Sequence, residues 1–124
     1  MNRVAAVMAA LLTLAAFSIP TAALADADRG KKLFVMNCSS CHGNGGKGDG
    51  PVGKALNPPP RDFTVGDFKI DANKDGKPGE DADLKLVIKN GAATYGGSPM
   101  MAPWPALGDG DVDSIIVFVR SLKE

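Results

Sequence analysis

The residues equipped for chemistry stand together at Cys38-Ser39-Ser40-Cys41-His42. Two thiols at i and i+3, followed at once by an imidazole, set two sulfur nucleophiles beside a nitrogen donor, and covalent attachment of a c-type haem requires that arrangement. Each sulfur would form a thioether with one haem vinyl group, and His42 would supply an axial nitrogen to the iron. No other cysteine or histidine exists in the chain. Two other chemistries use the same cysteine pair. A dithiol redox couple wants a strand before the motif and a βαβ pattern around it, whereas here an amphipathic helical pattern precedes it and glycines follow. A zinc site would be short of ligands, because His42 follows Cys41 too closely to be the usual separated donor.

A second donor set lies far along the chain. Thr94 to Pro105 is a non-helical stretch with two adjacent methionines, Met100 and Met101, and a soft thioether from either one is a candidate sixth ligand opposite His42. Loop prolines would hold it in place. A third set, Asp71, Asn73 and Asp75 with Gly76, copies the first half of a calcium loop. The second half departs from it: Ala82 stands where a bidentate glutamate belongs, with Asp81 and Asp83 on either side. The glycine-rich run Gly43 to Pro51 is not a phosphate loop, since no Gly-Lys-Ser/Thr follows at the required spacing. No carboxylate pair with a histidine, nucleophile triad or nucleotide fingerprint is visible.

These residues need elements to position them. The chain has 124 residues and a formal net charge of zero. It opens with a basic Met1-Asn2-Arg3, an apolar stretch from Val4 to Phe17, and Ala23-Leu24-Ala25 with small residues where a signal peptidase cuts, so residues 1–25 read as a cleaved signal peptide. The apolar stretch is shorter than a membrane-spanning helix needs. Export to the periplasm as a soluble domain of residues 26–124 is the expectation, with an uncleaved tether as the alternative. An oxidising compartment would also accept the two cysteines as one disulfide, but haem attachment accounts for His42 as well.

The first helix is expected over Asp26–Asn37, with Asp28 as its N-cap and Gly30 marking a close helix crossing. It delivers Cys38 to the haem edge. Three prolines, Pro58 to Pro60, stiffen the segment that follows the glycine-rich loop. A second helix runs from Asp81, capped by Asp81 or Asp83, to Asn90-Gly91. The last helix is the clearest: Val112, Ile115, Ile116, Val119 and Leu122 recur on one face, and Asp109, Asp111 and Asp113 complement the dipole of the first turn. A domain this small has little core of its own, so the haem-free chain is expected to be largely unfolded.

The attachment motif, the loop methionine and the terminal helix together resemble the class I cytochromes c, small soluble monohaem proteins of bacterial periplasms, over the whole of residues 26–124. The resemblance implies an all-α cytochrome c fold of three to four helices and long loops around one covalent haem. It implies that Gly30 and Phe34 pack against Phe118, and that Cys38, Cys41 and His42 bind the haem. Trp104, matched to the aromatic residue that follows the axial methionine in the family, selects Met101 over Met100. A proline carbonyl that orients the histidine is matched to Pro51, with the Pro58 to Pro60 run as rival. The function implied is periplasmic electron transfer, by a carrier or by a subunit serving a membrane complex, not catalysis by the chain itself. A ligand binder or peroxidase-like protein with a weak methionine bond, and a haem-free dithiol protein, are the alternatives. Without Arg3 the net charge is −1, which gives nucleic acid no electrostatic hold. Lys31, Lys32, Lys47, Lys54 and Arg61 cluster in the half that holds the motif, so an acidic redox partner is expected.

Overall fold

The computed structural model describes residues 21–124, with side chains from Asp26 onward. The expected signal segment thus lies almost wholly outside the described residues. Four α-helices occur among them, α1 (Thr21–Asn37), α2 (Ser39–His42), α3 (Asp81–Asn90) and α4 (Asp109–Ser121), with single 3₁₀ turns at Gly53–Ala55, Phe63–Val65 and Ala93–Tyr95. There is no strand among the described residues, and the fold is all-α as the resemblance implies.

Helices α1 and α4, from the two ends of the chain, form the centre of the molecule. Their crossing is close because Gly30 has no Cβ: one built there would collide with the Ser114 carbonyl of α4. Beside this point Phe34 meets Phe118, with ring centroids 5.2 Å apart and planes tilted by 59°. Phe34, Ile115, Phe118 and Val119 form the buried core cluster. On the solvent side of the crossing, Arg29 donates to Asp111 through Nε at 2.8 Å and also through Nη2. The periodic face of α4 is buried from Val112 to Val119, and the off-centre Phe118 is buried with it.

The helix boundaries differ from expectation at their starts. Helix α1 is already formed at Thr21, the first described residue, so Asp28 lies in its interior and is not a cap. The alanine and leucine residues before Asp26 are strong helix formers and carry the helix back across the expected cleavage point. The N-cap of α3 is Glu80, and Asp83 supplies the reciprocal half of a capping box by accepting from the Glu80 N–H at 2.9 Å. Helix α4 starts after Gly108, which offers no side-chain cap, so the acidic first turn is left to stabilise that end.

Asp83 does more than cap. It is 1 % exposed, and its Oδ1 also accepts from the N–H groups of Ala72 at 2.8 Å and Asn73 at 3.1 Å. A buried carboxylate holding three backbone donors closes the 71–80 loop onto α3. Burial alone would raise its pKa, but donors at Asn73, Glu80, Ala72 and Gly79 outweigh it and hold the carboxyl below its ordinary value.

Candidate functional site

Cys38 sits where α1 ends and α2 begins. Its N–H still donates to the Phe34 carbonyl of α1 at 2.8 Å, while its own carbonyl accepts from Cys41 at 3.3 Å and His42 at 2.9 Å. The two cysteines and the histidine are therefore set by one continuous helical path with a bend at Cys38. Both thiols are free and half-buried. Burial first, and the neighbouring Cys41 second, push the Cys38 thiol up to about 11, so it is protonated at neutral pH.

The chain after His42 folds back against the motif. Gly43, Gly46 and Gly48 all have positive φ, between 68° and 76°. At Gly48 a Cβ would strike the Pro60 carbonyl, and the Gly48 N–H donates to the His42 carbonyl at 2.8 Å. Gly46 hands its carbonyl to the Phe63 N–H at 2.7 Å. These contacts bring the Pro60 to Phe63 segment alongside His42, and the imidazole stacks on Phe63 at a centroid distance of 4.6 Å with planes 20° apart. Phe34 borders the same ring at 6.3 Å. Aromatic pairs of this kind contribute about 0.5–1.5 kcal/mol beyond their burial.

His42 Nδ1 is buried without a hydrogen-bond partner. Burial lowers the pKa of the ring and the Arg61 backbone opposes that shift, without reaching hydrogen-bond geometry at Nδ1. The effect on the imidazole comes from the residue directly after the Pro58 to Pro60 run. Pro51 is exposed and, with Ser39, Ser40 and Asn44, lines an open hollow on the surface.

The loop after α3 carries the two candidate methionines. Met100 is 55 % exposed, whereas Met101 is half-buried. Met101 is held by its backbone, its N–H donating to Ser98 at 3.2 Å and its carbonyl accepting from Ala92 at 3.1 Å. Trp104, also half-buried, donates its N–H to the Ile88 carbonyl at 2.9 Å, which ties the methionine loop to the last turn of α3. Lys89 closes the other end. Its ammonium donates to the Leu107 carbonyl at 2.7 Å and stands 3.4 Å from Asp109.

The donor chemistry fits a c-type haem. Two free thiols match two vinyl groups, and the imidazole directly after them matches one axial position. The apolar residues around the core, among them Leu33, Leu84, Ile88, Leu107 and Leu122, are only partly buried. A large flat apolar group would cover such side chains. Zinc fits less well, since among the described residues no three His, Cys, Asp or Glu side chains gather as a metal site. In the 71–80 loop, Asp71 accepts from the N–H groups of Asp75 at 3.1 Å and Gly76 at 2.9 Å, and Asn73 accepts from Asp75 at 3.0 Å. These oxygens organise the turn through the backbone. The basic residues are partly engaged: Lys47 faces Glu124 at 3.6 Å, and Arg61 donates to the Asp67 carbonyl at 3.1 Å.

Sequence reasoning missed Phe63, Lys89 and the anchoring role of Asp83. Phe63 carried one signal, its place directly after a proline-stiffened segment; Lys89 carried none, because its partners are backbone carbonyls far along the chain.

Comparison with known proteins bears on the whole of this region. The model of the family described as Cytochrome c matches residues 27–123. The chain is 51% identical over 35 residues to the cbb3-type cytochrome c oxidase subunit FixP of Bradyrhizobium diazoefficiens, covering 28% of this chain and 12% of the relative. It is 30% identical over 99 residues to the cbb3-type cytochrome c oxidase subunit CcoP of Azospirillum brasilense, covering 79% of this chain and 29% of the relative. The chain thus spans less than a third of the length of either. Among solved structures, a chain of the Kuenenia stuttgartiensis reducing HAO-like protein complex Kustc0457/Kustc0458 superposes with a TM-score of 0.63 at 30% identity, over 77% of this chain and 42% of that one.

Proposed function

Since the chain belongs to the cytochrome c family, we propose that it transfers single electrons through one covalent haem c held by Cys38, Cys41, His42 and Met101. The observation that carries this reading is the pair of free thiols on one short helical path with the imidazole of His42 directly after them. The haem supplies a one-electron Fe(II)/Fe(III) couple when bound. The chain's own part is to orient His42 through its packing, to keep Met101 half-buried in a loop fastened at Ile88 and Leu107, and to exclude water with the apolar residues around Phe34. With His42 and Met101 both bound, the iron would have no open position, which would suit outer-sphere transfer, and the sulfur ligand would favour Fe(II).

In this reading the chain acts in the periplasm after removal of residues 1–25 and exchanges electrons with redox proteins, an acidic one or a membrane-bound oxidoreductase complex among them. The relatives named as oxidase subunits support service to a complex. The exposure of Met100 supports Met101 as the ligand. No helix among the described residues is long and apolar enough to cross a membrane.

Visible spectra of the exported protein, ferric and then dithionite-reduced, test the proposal. A low-spin spectrum whose weak far-red ferric band is lost in Met101→Ala and kept in Met100→Ala is the expected result. A high-spin ferric spectrum in the parent protein would mean an open sixth position and would favour a ligand-binding role.

A further inference from the structure

We infer that Tyr95 is a positioning residue for Met101, its hydroxyl latching the start of the methionine loop to the last residue of α3; the inference rests on Met101 being the sulfur ligand proposed above. Lys89 and Trp104 fasten the end of that loop. Its beginning has a clasp of its own. Asn90 Nδ2 donates to the Tyr95 hydroxyl at 2.6 Å, and the Thr94 hydroxyl donates to the Asn90 carbonyl at 3.3 Å. Helix α3 thus grips the 3₁₀ turn Ala93–Tyr95 through both the side chain and the carbonyl of one residue.

From the turn the path to Met101 is short, and Ala92 is its hub. Ala92 is buried. Its carbonyl accepts from the Tyr95 N–H at 3.0 Å and the Gly97 N–H at 2.8 Å, while its own N–H donates to the Met101 carbonyl at 3.1 Å. A displacement of Tyr95 is therefore passed to the Met101 backbone through a single residue. The surroundings leave that residue little freedom. Gly91 has a φ of 81°, and a Cβ there would lie 3.1 Å from the Met101 carbonyl oxygen; one at Gly97 would lie 2.8 Å from the Ala92 side chain. Residues 91–108 carry no charged side chain, so this half of the loop is held by neutral hydrogen bonds and packing alone. A ligand keeps its geometry only when the residues that support it are themselves locked, and the bond from Asn90 to Tyr95 is the lock at this end.

Tyr95→Phe removes the hydroxyl and keeps the ring. The experiment compares haem-loaded parent, Tyr95→Phe, Asn90→Ala and the double variant, following displacement of the methionine by cyanide in the ferric protein and the far-red ferric band that reports the iron–sulfur bond. Loss of one neutral hydrogen bond corresponds to about a two- to tenfold faster displacement. That acceleration is expected in each single variant, with no further gain in the double, because both substitutions remove the same bond. The far-red band is expected to shift in Tyr95→Phe, which a residue serving only global stability would not cause. An unchanged rate and band in Tyr95→Phe, or a double variant whose acceleration is the product of the two singles, would overturn the inference while leaving Met101 as the ligand. A parent protein whose far-red band survives Met101→Ala would overturn both. Should the variants fail to fold, amide hydrogen exchange in the haem-loaded parent answers the question. The Ala92 N–H is expected to exchange as slowly as the Gly91 N–H, which donates to the Val87 carbonyl of α3; exchange at the rate of an unprotected amide would overturn the inference.

Discussion

The Ser114 carbonyl occupies the space in which Gly30 would carry a Cβ, and the Ile115 nitrogen stands 3.1 Å from the same point. Both neighbours are backbone atoms inside a helix, so neither can rotate away. The aromatic pair across α1 and α4, Phe34 with Phe118, depends on this approach.

Gly30→Ala is accordingly expected to push the two helices apart and destabilise the haem-loaded protein by about 1–3 kcal/mol, the range for overpacking a well-packed core. Urea unfolding followed by circular dichroism would measure it. A midpoint equal to the parent's would show that the crossing is loose.

Asp83 makes stability depend on pH. Its folded pKa lies below its ordinary value, so its contribution is fully present above the unfolded pKa of about 3.9 and is lost as pH falls through the depressed folded value. Asp83→Asn cannot accept from all three backbone donors and is expected to unfold at lower urea concentration at pH 7. Below about pH 4 the parent should lose stability more steeply than the variant. Parallel pH profiles for the two proteins would remove Asp83 from the account.

Much of this architecture was legible in the sequence, for reasons particular residues show. The α4 stripe from Val112 to Val119 announced its buried face because helix periodicity is local information. Gly30 was legible as a crossing point because glycine inside a helix needs a packing reason. The stack of Phe63 on His42 was not, since it arises from a loop held by Gly46 and Gly48 at positive φ, and no spacing rule connects residues 42 and 63. The continuation of α1 upstream of Asp26 was not, because the alanine and leucine residues there carry the helix past a plausible cap at Asp28.

Lys89 fastens the loop that carries Met101. Lys89→Met keeps the alkyl stem and removes the ammonium that donates to Leu107. Loss of one charge-assisted hydrogen bond of about 1.5 kcal/mol corresponds to about a tenfold faster displacement of the methionine by cyanide in the ferric protein. Stopped-flow absorbance reads this rate directly. No acceleration would mean that the Trp104 to Ile88 bond alone holds the loop.

Removal of the haem tests how far the polypeptide supports itself. A Cys38→Ala, Cys41→Ala chain leaves Leu84, Ile88, Leu107 and Leu122 around the Phe34, Ile115, Phe118 and Val119 cluster with nothing to cover them. Its far-UV circular dichroism is expected to show largely unfolded chain. Native helicity in that variant would show that the core suffices by itself.

The pairing of α1 with α4 also has a bearing on timing. Phe34 lies near one end of the described chain, and its partners Ile115, Phe118 and Val119 lie near the other. A ribosome adds residues in order, so the core cannot close until Val119 has been made, and contacts this distant in sequence form slowly. Throughout that interval the segment from Cys38 to His42 is already synthesised and unburied. In an exported chain the attachment residues thereby stay unburied until α4 docks on α1, whatever the order in which they were made.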